Sequence, residues 1–325
     1  MIASLANSPR VMALVVIPHE VIWSYFSFGV VFAVGLAVIL LRGDWQSARG
    51  FDKLILLGPI FYAAPLAAFG TEHFTLTQGI GSIIPAWIPW HLFWVYFLGT
   101  CFIAAALSMV TGIQARLAAS LAGLTFFLFV VLMHFPAWTR DPHNRFALTV
   151  ALREMAFSGG ALGLAGSLTP KWRERQAQVS AWHQRANLGQ GRQRGYILET
   201  IARYFVAIPV LFFSFEQFLH GDHVPGVPLK RLTPSYVVGH ASWTYLAAAI
   251  YAITGIFLLV GKKTRAAATW LGLTVFVIVL VVYVPIAVVE RASLANGLNY
   301  IADTLMFCGA VLMLAGAMPR AVGSD

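Results

Sequence analysis

Three features of this sequence predict one fold. It is an all-α polytopic membrane protein of about nine transmembrane helices, two parallel four-helix repeats behind one extra N-terminal helix. First, 59% of its 325 residues are hydrophobic and only 11% are charged. A soluble domain carries about 25% charged residues, so this chain has too few to cover a water-facing surface. Second, it contains several apolar runs of about 20 residues, the length that crosses a bilayer as a helix. The runs are continuously apolar without strict alternation, which favours helices over a barrel. Third, the chain repeats itself.

The repeat is exact in its spacing. His91, Trp94, Tyr96, Gly112 and Arg116 return 149 residues later as His240, Trp243, Tyr245, Gly261 and Arg265. The offset holds through Gly123/Gly272, Thr125/Thr274, Phe127/Phe276, Pro136/Pro285 and Gly160/Gly309. Upstream, Phe61, Ala63, Pro65, Phe69, Glu72 and Phe74 match Phe205, Ala207, Pro209, Phe213, Glu216 and Phe218 at an offset of 144. The slip of five falls in a connection, where insertions are tolerated. Four spans per copy is an even number, so both copies enter the membrane from the same side.

In chain order, residues 1–53 form a leading segment with one span, Val21 to Leu41. No cleavable signal is expected, since the apolar stretch after Arg10 ends at Pro18. Repeat one, residues 54–168, holds spans from Leu54 to Phe74, His91 to Gly112, Ala115 to Pro136 and Phe146 to Leu168. Residues 169–196 form a basic linker with Trp172, Val179, Trp182 and Ala186 at helical spacing. That pattern suits a helix lying on an anionic leaflet or a protein-docking surface. Repeat two, residues 197–325, holds spans from Ile197 to Leu219, His240 to Val260, Arg265 to Val288 and Gly297 to Ala317. Pro65 and Pro209 lie near mid-membrane and are expected to kink their helices. Gly159, Gly160, Gly163 and Gly166 permit close helix contact.

Of the 22 Lys and Arg residues, fifteen fall on the inner side if the amino terminus is outside, and seven elsewhere. This bias orients the chain with its carboxyl terminus in the cytoplasm. The net charge of +9 is then a topology signal, and a nucleic-acid partner is not expected. Cys101 and Cys308 sit in apolar runs without repeat equivalence, as packing residues.

The same topology gathers His19, His73, His91, His134, His143, His220, His223 and His240 at the outer face. Glu72 and Glu216 lie about 27 Å along their helices, near the outer boundary. The repeat equivalents Glu154 and Asp303 sit about 10 Å below it. A carboxylate in hydrocarbon costs a few kcal/mol, so both are expected to face the bundle interior, paired or protonated. Direct pairing of Glu154 with its neighbour Arg153 is awkward, because adjacent helical residues point apart. Candidate partners are His134, His91 and His240. A carboxylate–imidazole pair relays protons or binds a quinone carbonyl; the alternative is a structural pair that fixes helix register. His91 and His240, with Glu72 and Glu216, are the candidate cofactor contacts. Two symmetry-related His ligands for one metal or haem is a bolder reading; interfacial His in an aromatic belt is the plainer one. His220 and His223 suit either a surface metal or a polar loop. Arg116 and Arg265 suit helix capping or phosphate-headgroup contact. No Walker loop, dinucleotide fingerprint, Cys-x-x-Cys or nucleophile elbow is present.

The second copy resembles the DoxX/DoxD-like family of small four-helix membrane proteins. The likeness is carried by Gly255-Ile-Phe-Leu-Leu-Val-Gly261, Thr264-Arg265-Ala266-Ala267, Ala302-Asp303-Thr304-Leu305 and Gly309-Ala310-Val311-Leu312. Repeat one carries a weaker version in Gly112, Arg116 to Ala119, Arg153 to Ala156 and Gly159 to Leu162. The likeness covers Phe61 to Gly166 and Phe205 to Gly316. It departs midway along the second helix of the unit, where many members carry an acid and this chain has Tyr251 and Thr254, or Phe102 and Ala105. Family members include a membrane subunit of thiosulfate:quinone oxidoreductase, and related families handle cargo or lipid-linked substrates. The resemblance therefore implies a multi-pass protein of a prokaryotic cytoplasmic membrane that interacts with quinone near the outer face or anchors an extracytoplasmic redox partner. A structural subunit of a larger complex and a small-solute transporter are the alternatives.

Overall fold

The computed structural model describes residues 19–168, 197–227, 231–237, 239, 241–289 and 294–319. The basic linker and His240 lie outside these residues. Nine long helices organise the rest: α1 His19–Leu41, α2 Asp52–Thr75, α3 His91–Thr111, α4 Ala115–Arg140, α5 Arg145–Ser167, α6 Ile197–Leu219, α7 Ala241–Val260, α8 Thr264–Val289 and α9 Leu294–Ala317. Among the described residues there is no strand, only an isolated bridge between His223 and Leu232. The chain is an all-α polytopic membrane protein. Eight of the nine helices are long and apolar enough to cross a membrane. The ninth, α5, has 23 residues but carries Arg145, Arg153 and Glu154. It packs against α4, α6 and α9, where protein rather than lipid meets its polar groups.

The repeat seen in the sequence is a repeat in three dimensions. Repeat one is α2–α5 and repeat two is α6–α9. Both α4 and α8 contain a π-helical turn at the same offset, Val130–His134 and Val279–Tyr283. Proline explains both turns. Pro136 has no N–H for the Leu132 carbonyl, and its ring crowds that carbonyl. Widening the turn lets the Phe135 N–H bond the Val130 carbonyl, five residues back. In α8 the Val284 N–H does the same to Val279, ahead of Pro285.

The two repeats exchange partners. α2 packs on α9, the last helix of the other repeat, and α6 packs on α5. α3, α4, α7 and α8 complete a ring of eight helices, and α5 and α9 touch across its middle. Glycine permits these contacts: a side chain at Gly160 would run into the backbone of Ala310 at the central contact, and one at Gly309 into the backbone of Phe61 and Tyr62 where α9 meets α2. A layer of rings fills the bundle at mid-height. Phe102 stacks on Phe126 at 5.5 Å, Phe61 on Phe276 at 5.1 Å, and Phe213 meets Phe307 at 5.8 Å. Within this layer the Tyr62 hydroxyl donates to the Phe157 carbonyl at 3.2 Å.

α1 lies against α2, with secondary contact to α3. Ser27 donates to the Ala67 carbonyl at 3.2 Å and accepts from Thr71 at 2.8 Å, and Gly35 lets the helix close on Ile60. At the positions of repeat two equivalent to Ala67 and Thr71 stand Leu211 and Phe215. Phe215 is 60% exposed. Bulky side chains thus cover the face that would receive a counterpart of α1.

The ends of the bundle differ in chemistry. Arg42, Arg116, Arg203, Lys262, Lys263 and Arg265 mark one end, and the described histidines mark the other. At the Arg-rich end, Arg42 donates to the Thr111 carbonyl at 2.6 Å, and Arg203 donates to the carbonyls of Leu258 and Leu259. Both cap helices that end in a left-handed glycine, Gly112 or Gly261, each at φ 77°. Arg265 also caps, but on another helix: it donates to Ala315 of α9 at 3.1 Å and pairs with Asp52 at 2.6 Å. Arg116, its repeat equivalent, is exposed.

Candidate functional site

The intramembrane acids meet at the His-rich end, on the paired helices α5 and α9. Each acid lies one face below the helix start: Glu154 is nine residues past Arg145, and Asp303 nine past Leu294. Both helices therefore enter from the same end. The Arg153 Nη1–Asp303 Oδ2 contact, 2.6 Å long, bridges the two repeats. His134, the last residue of the first π turn, brings Nε2 to 3.0 Å from Glu154 Oε2. That contact is an ion-pair approach and not an aligned hydrogen bond, because Glu154 Oε2 has no hydrogen-bond partner. Asp303 also interacts electrostatically with Glu154 and with Glu72, which in turn interacts with Tyr25. Tyr25 donates to Asn299 at 3.3 Å. The side chains of His134, Glu154, Arg153 and Asp303 keep 12–19% of their surface exposed.

Of the three partners offered by the sequence for Glu154, His134 is the one the fold brings to it. The partner of Asp303 is Arg153 from the other repeat, a contact that spacing along one helix does not reveal. Glu216 is engaged separately. It pairs with Arg145 at the start of α5 and stands 4.0 Å from His220. The repeat equivalent of Arg145 is Leu294, so the Arg145–Glu216 pair is not repeated in the sequence at Glu72. His91 begins α3 as expected, at a helix start flanked by the left-handed Trp90. The paired-ligand reading of His91 and His240 cannot be drawn on the described residues, because His240 lies outside them. Among those residues no group of three or more His, Cys, Asp or Glu side chains has metal-holding geometry. The rings of His220 and His223 meet edge to face at 5.4 Å, and His223 Nδ1 bonds Asp222 Oδ1 at 2.8 Å.

Repeat two contains a feature with no sequence signal. The connection after α6 folds down into the bundle. Gln217 holds it with both ends of its amide, donating to the Gly226 carbonyl at 3.0 Å and accepting from the Gly226 N–H at 3.3 Å. Tyr283, repeat equivalent of His134, donates to the Pro225 carbonyl at 2.9 Å. Thr244 donates to the His223 carbonyl at 2.7 Å, and Val224 and Val227 are each 1% exposed. In repeat one the corresponding connection makes the short helix Thr77–Ile83 and leaves Ile83, Trp87 and Trp90 exposed.

These features define an integral membrane protein with an intramembrane charge network at one end. Comparison with protein-family models, curated proteins and solved structures finds no match to this chain.

Proposed function

We propose that the chain is the integral membrane subunit of a redox system, meeting a quinone at the His-rich end of repeat one. The observation that carries the reading is a surplus of acid. Among the described residues Asp303 pairs with Arg153 and interacts with Glu154 and Glu72, and Glu154 stands 3.0 Å from His134. One Arg–Asp pair would suffice to fix helix register. Three carboxylates beside one Arg153–Asp303 pair are more acid than a register-fixing contact needs, and they stand with His134 as hydrogen-bonding groups for a bound ligand. A quinone supplies carriage of two electrons and two protons. His134 and Glu154 accept or deliver the protons, and a partner subunit holding the redox centre handles the electrons.

Further support comes from the DoxX/DoxD-like likeness of both repeats. The mid-bundle layer of rings weighs against a solute path through the protein. The reading places the His-rich end outside, at the extracytoplasmic side of a prokaryotic cytoplasmic membrane. A structural-subunit reading is favoured by Arg145–Glu216 and Arg153–Asp303, which both tie one repeat to the other. The test is equilibrium binding of a short-chain quinone to the protein in nanodiscs. Saturable binding is expected, weakened about tenfold or more in Glu154→Gln, the scale of one charge-assisted hydrogen bond. No saturable binding would leave the structural reading standing.

A further inference from the structure

The two repeats present the same scaffold around His134 and Tyr283, but among the described residues a backbone carbonyl, that of Pro225, accepts from it in repeat two alone, while in repeat one the helix Thr77–Ile83 lies over Val95 instead. Every side chain that ties the Pro225–Gly226 segment into repeat two has a different counterpart in repeat one. Tyr283 corresponds to His134, Gln217 to His73 and Thr244 to Val95. His73 turns its Nδ1 to the Phe69 carbonyl at 2.7 Å instead of holding a loop. Repeat one also carries buried donors that lack an acceptor at this same end: Trp94 Nε1 at the start of α3, Trp138 Nε1 at the end of α4 and Arg153 Nε on α5. Buried N–H groups are nearly always satisfied, so several orphans at one end of one repeat call for an acceptor. The Thr75 hydroxyl, at the end of α2, is likewise buried without a partner.

We propose that a ligand carbonyl occupies, in repeat one, the place that the Pro225 carbonyl occupies in repeat two, accepting a hydrogen bond from His134 as Pro225 accepts from Tyr283. The protein then carries its own template for the ligand: a flat, acceptor-bearing group inserted from the His-rich end against the π turn of the third helix. The template selects a carbonyl and not a hydroxyl donor, because the group facing it in repeat two is a donor. It also selects one ligand per chain, since the equivalent place in repeat two is closed by the protein's own backbone. The inference rests on the quinone reading for the identity of the ligand and adds the atom that is recognised and the residue that recognises it.

The test is infrared difference spectroscopy of a quinone carrying ¹³C at its carbonyls, bound to the protein in nanodiscs. In the wild type one carbonyl band is expected to shift to lower frequency, as hydrogen bonding requires. His134→Leu is expected to lose the shift and to weaken binding about tenfold, the scale of one hydrogen bond to a charged or polarised group. His134→Tyr, which places the repeat-two residue in the same π turn, is expected to retain both. A dimethoxy analogue without carbonyls is expected to bind the wild type about tenfold more weakly than the quinone, and equal binding would overturn the template. Undiminished binding and an unchanged band in His134→Leu would overturn the template while leaving the quinone reading in place. Absence of quinone binding to the wild-type protein would overturn both.

Discussion

Arg153 is the residue on which the central charge network turns. Among the described residues it is the permanent cation paired with Asp303, which in turn interacts with Glu154 and Glu72. Removing one partner of a poorly solvated pair leaves the other charge uncompensated, which costs about 3–5 kcal/mol. Arg153→Leu is therefore expected to lower stability by that amount in detergent unfolding experiments, with Arg153→Leu/Asp303→Leu recovering most of it. A single variant as stable as the wild type would show that the contact contributes little. A second residue-scale effect lies outside the spans. The His223 hydrogen bond holds the Asp222 carboxyl below the usual carboxylate range. A depressed pKa contributes stability above the unfolded value, near 4, and loses it as pH falls through the lower folded value. Amide protection over residues 220–227, corrected for intrinsic exchange, is thus expected to show no Asp222-dependent change with pH between pH 5 and 8 and to fall below about pH 4. Asp222→Asn should remove that acid step, and an unaltered profile would sink the assignment.

At the scale of elements, the inserted connection of repeat two hangs on one side chain. Gln217 satisfies both the N–H and the carbonyl of Gly226. Gly226 itself adopts φ 105°, a left-handed backbone that a residue with a Cβ disfavours. Gln217→Leu leaves two buried backbone groups unpaired, at about 1–3 kcal/mol each. The expected outcome is faster amide exchange from residue 220 to 237 with the helices unaffected. Equal protection in the variant would mean that Tyr283, Thr244 and the buried valines hold the segment alone. The π turns belong to this scale too. They set where His134 and Tyr283 stand relative to the acids on α5 and α9, and proline placement explains them in both copies.

The whole molecule is more than two units side by side. Because α2 packs on α9 and α6 on α5, each repeat lends its first helix to the other. Residues 1–168 and 197–325 expressed together are expected to associate and copurify, whereas either half alone is expected to aggregate. A monomeric, stably folded half would show that the exchange is dispensable.

The sequence alone determined the class of fold, the nine helices and the duplication, because bilayer thickness dictates run length and the offset of 149 aligns matching residues. It also required a partner for Glu154, since a carboxylate in hydrocarbon needs one, and offered His134, His91 and His240; the fold selected His134. Only the tertiary structure decided that Arg153 serves Asp303 in the other repeat, that Arg145 serves Glu216, and that Gln217 and Tyr283 hold Pro225–Gly226 at the His-rich end of repeat two. Those contacts join residues distant along the chain, and their geometry depends on how helices pack and not on the spacing within any one helix.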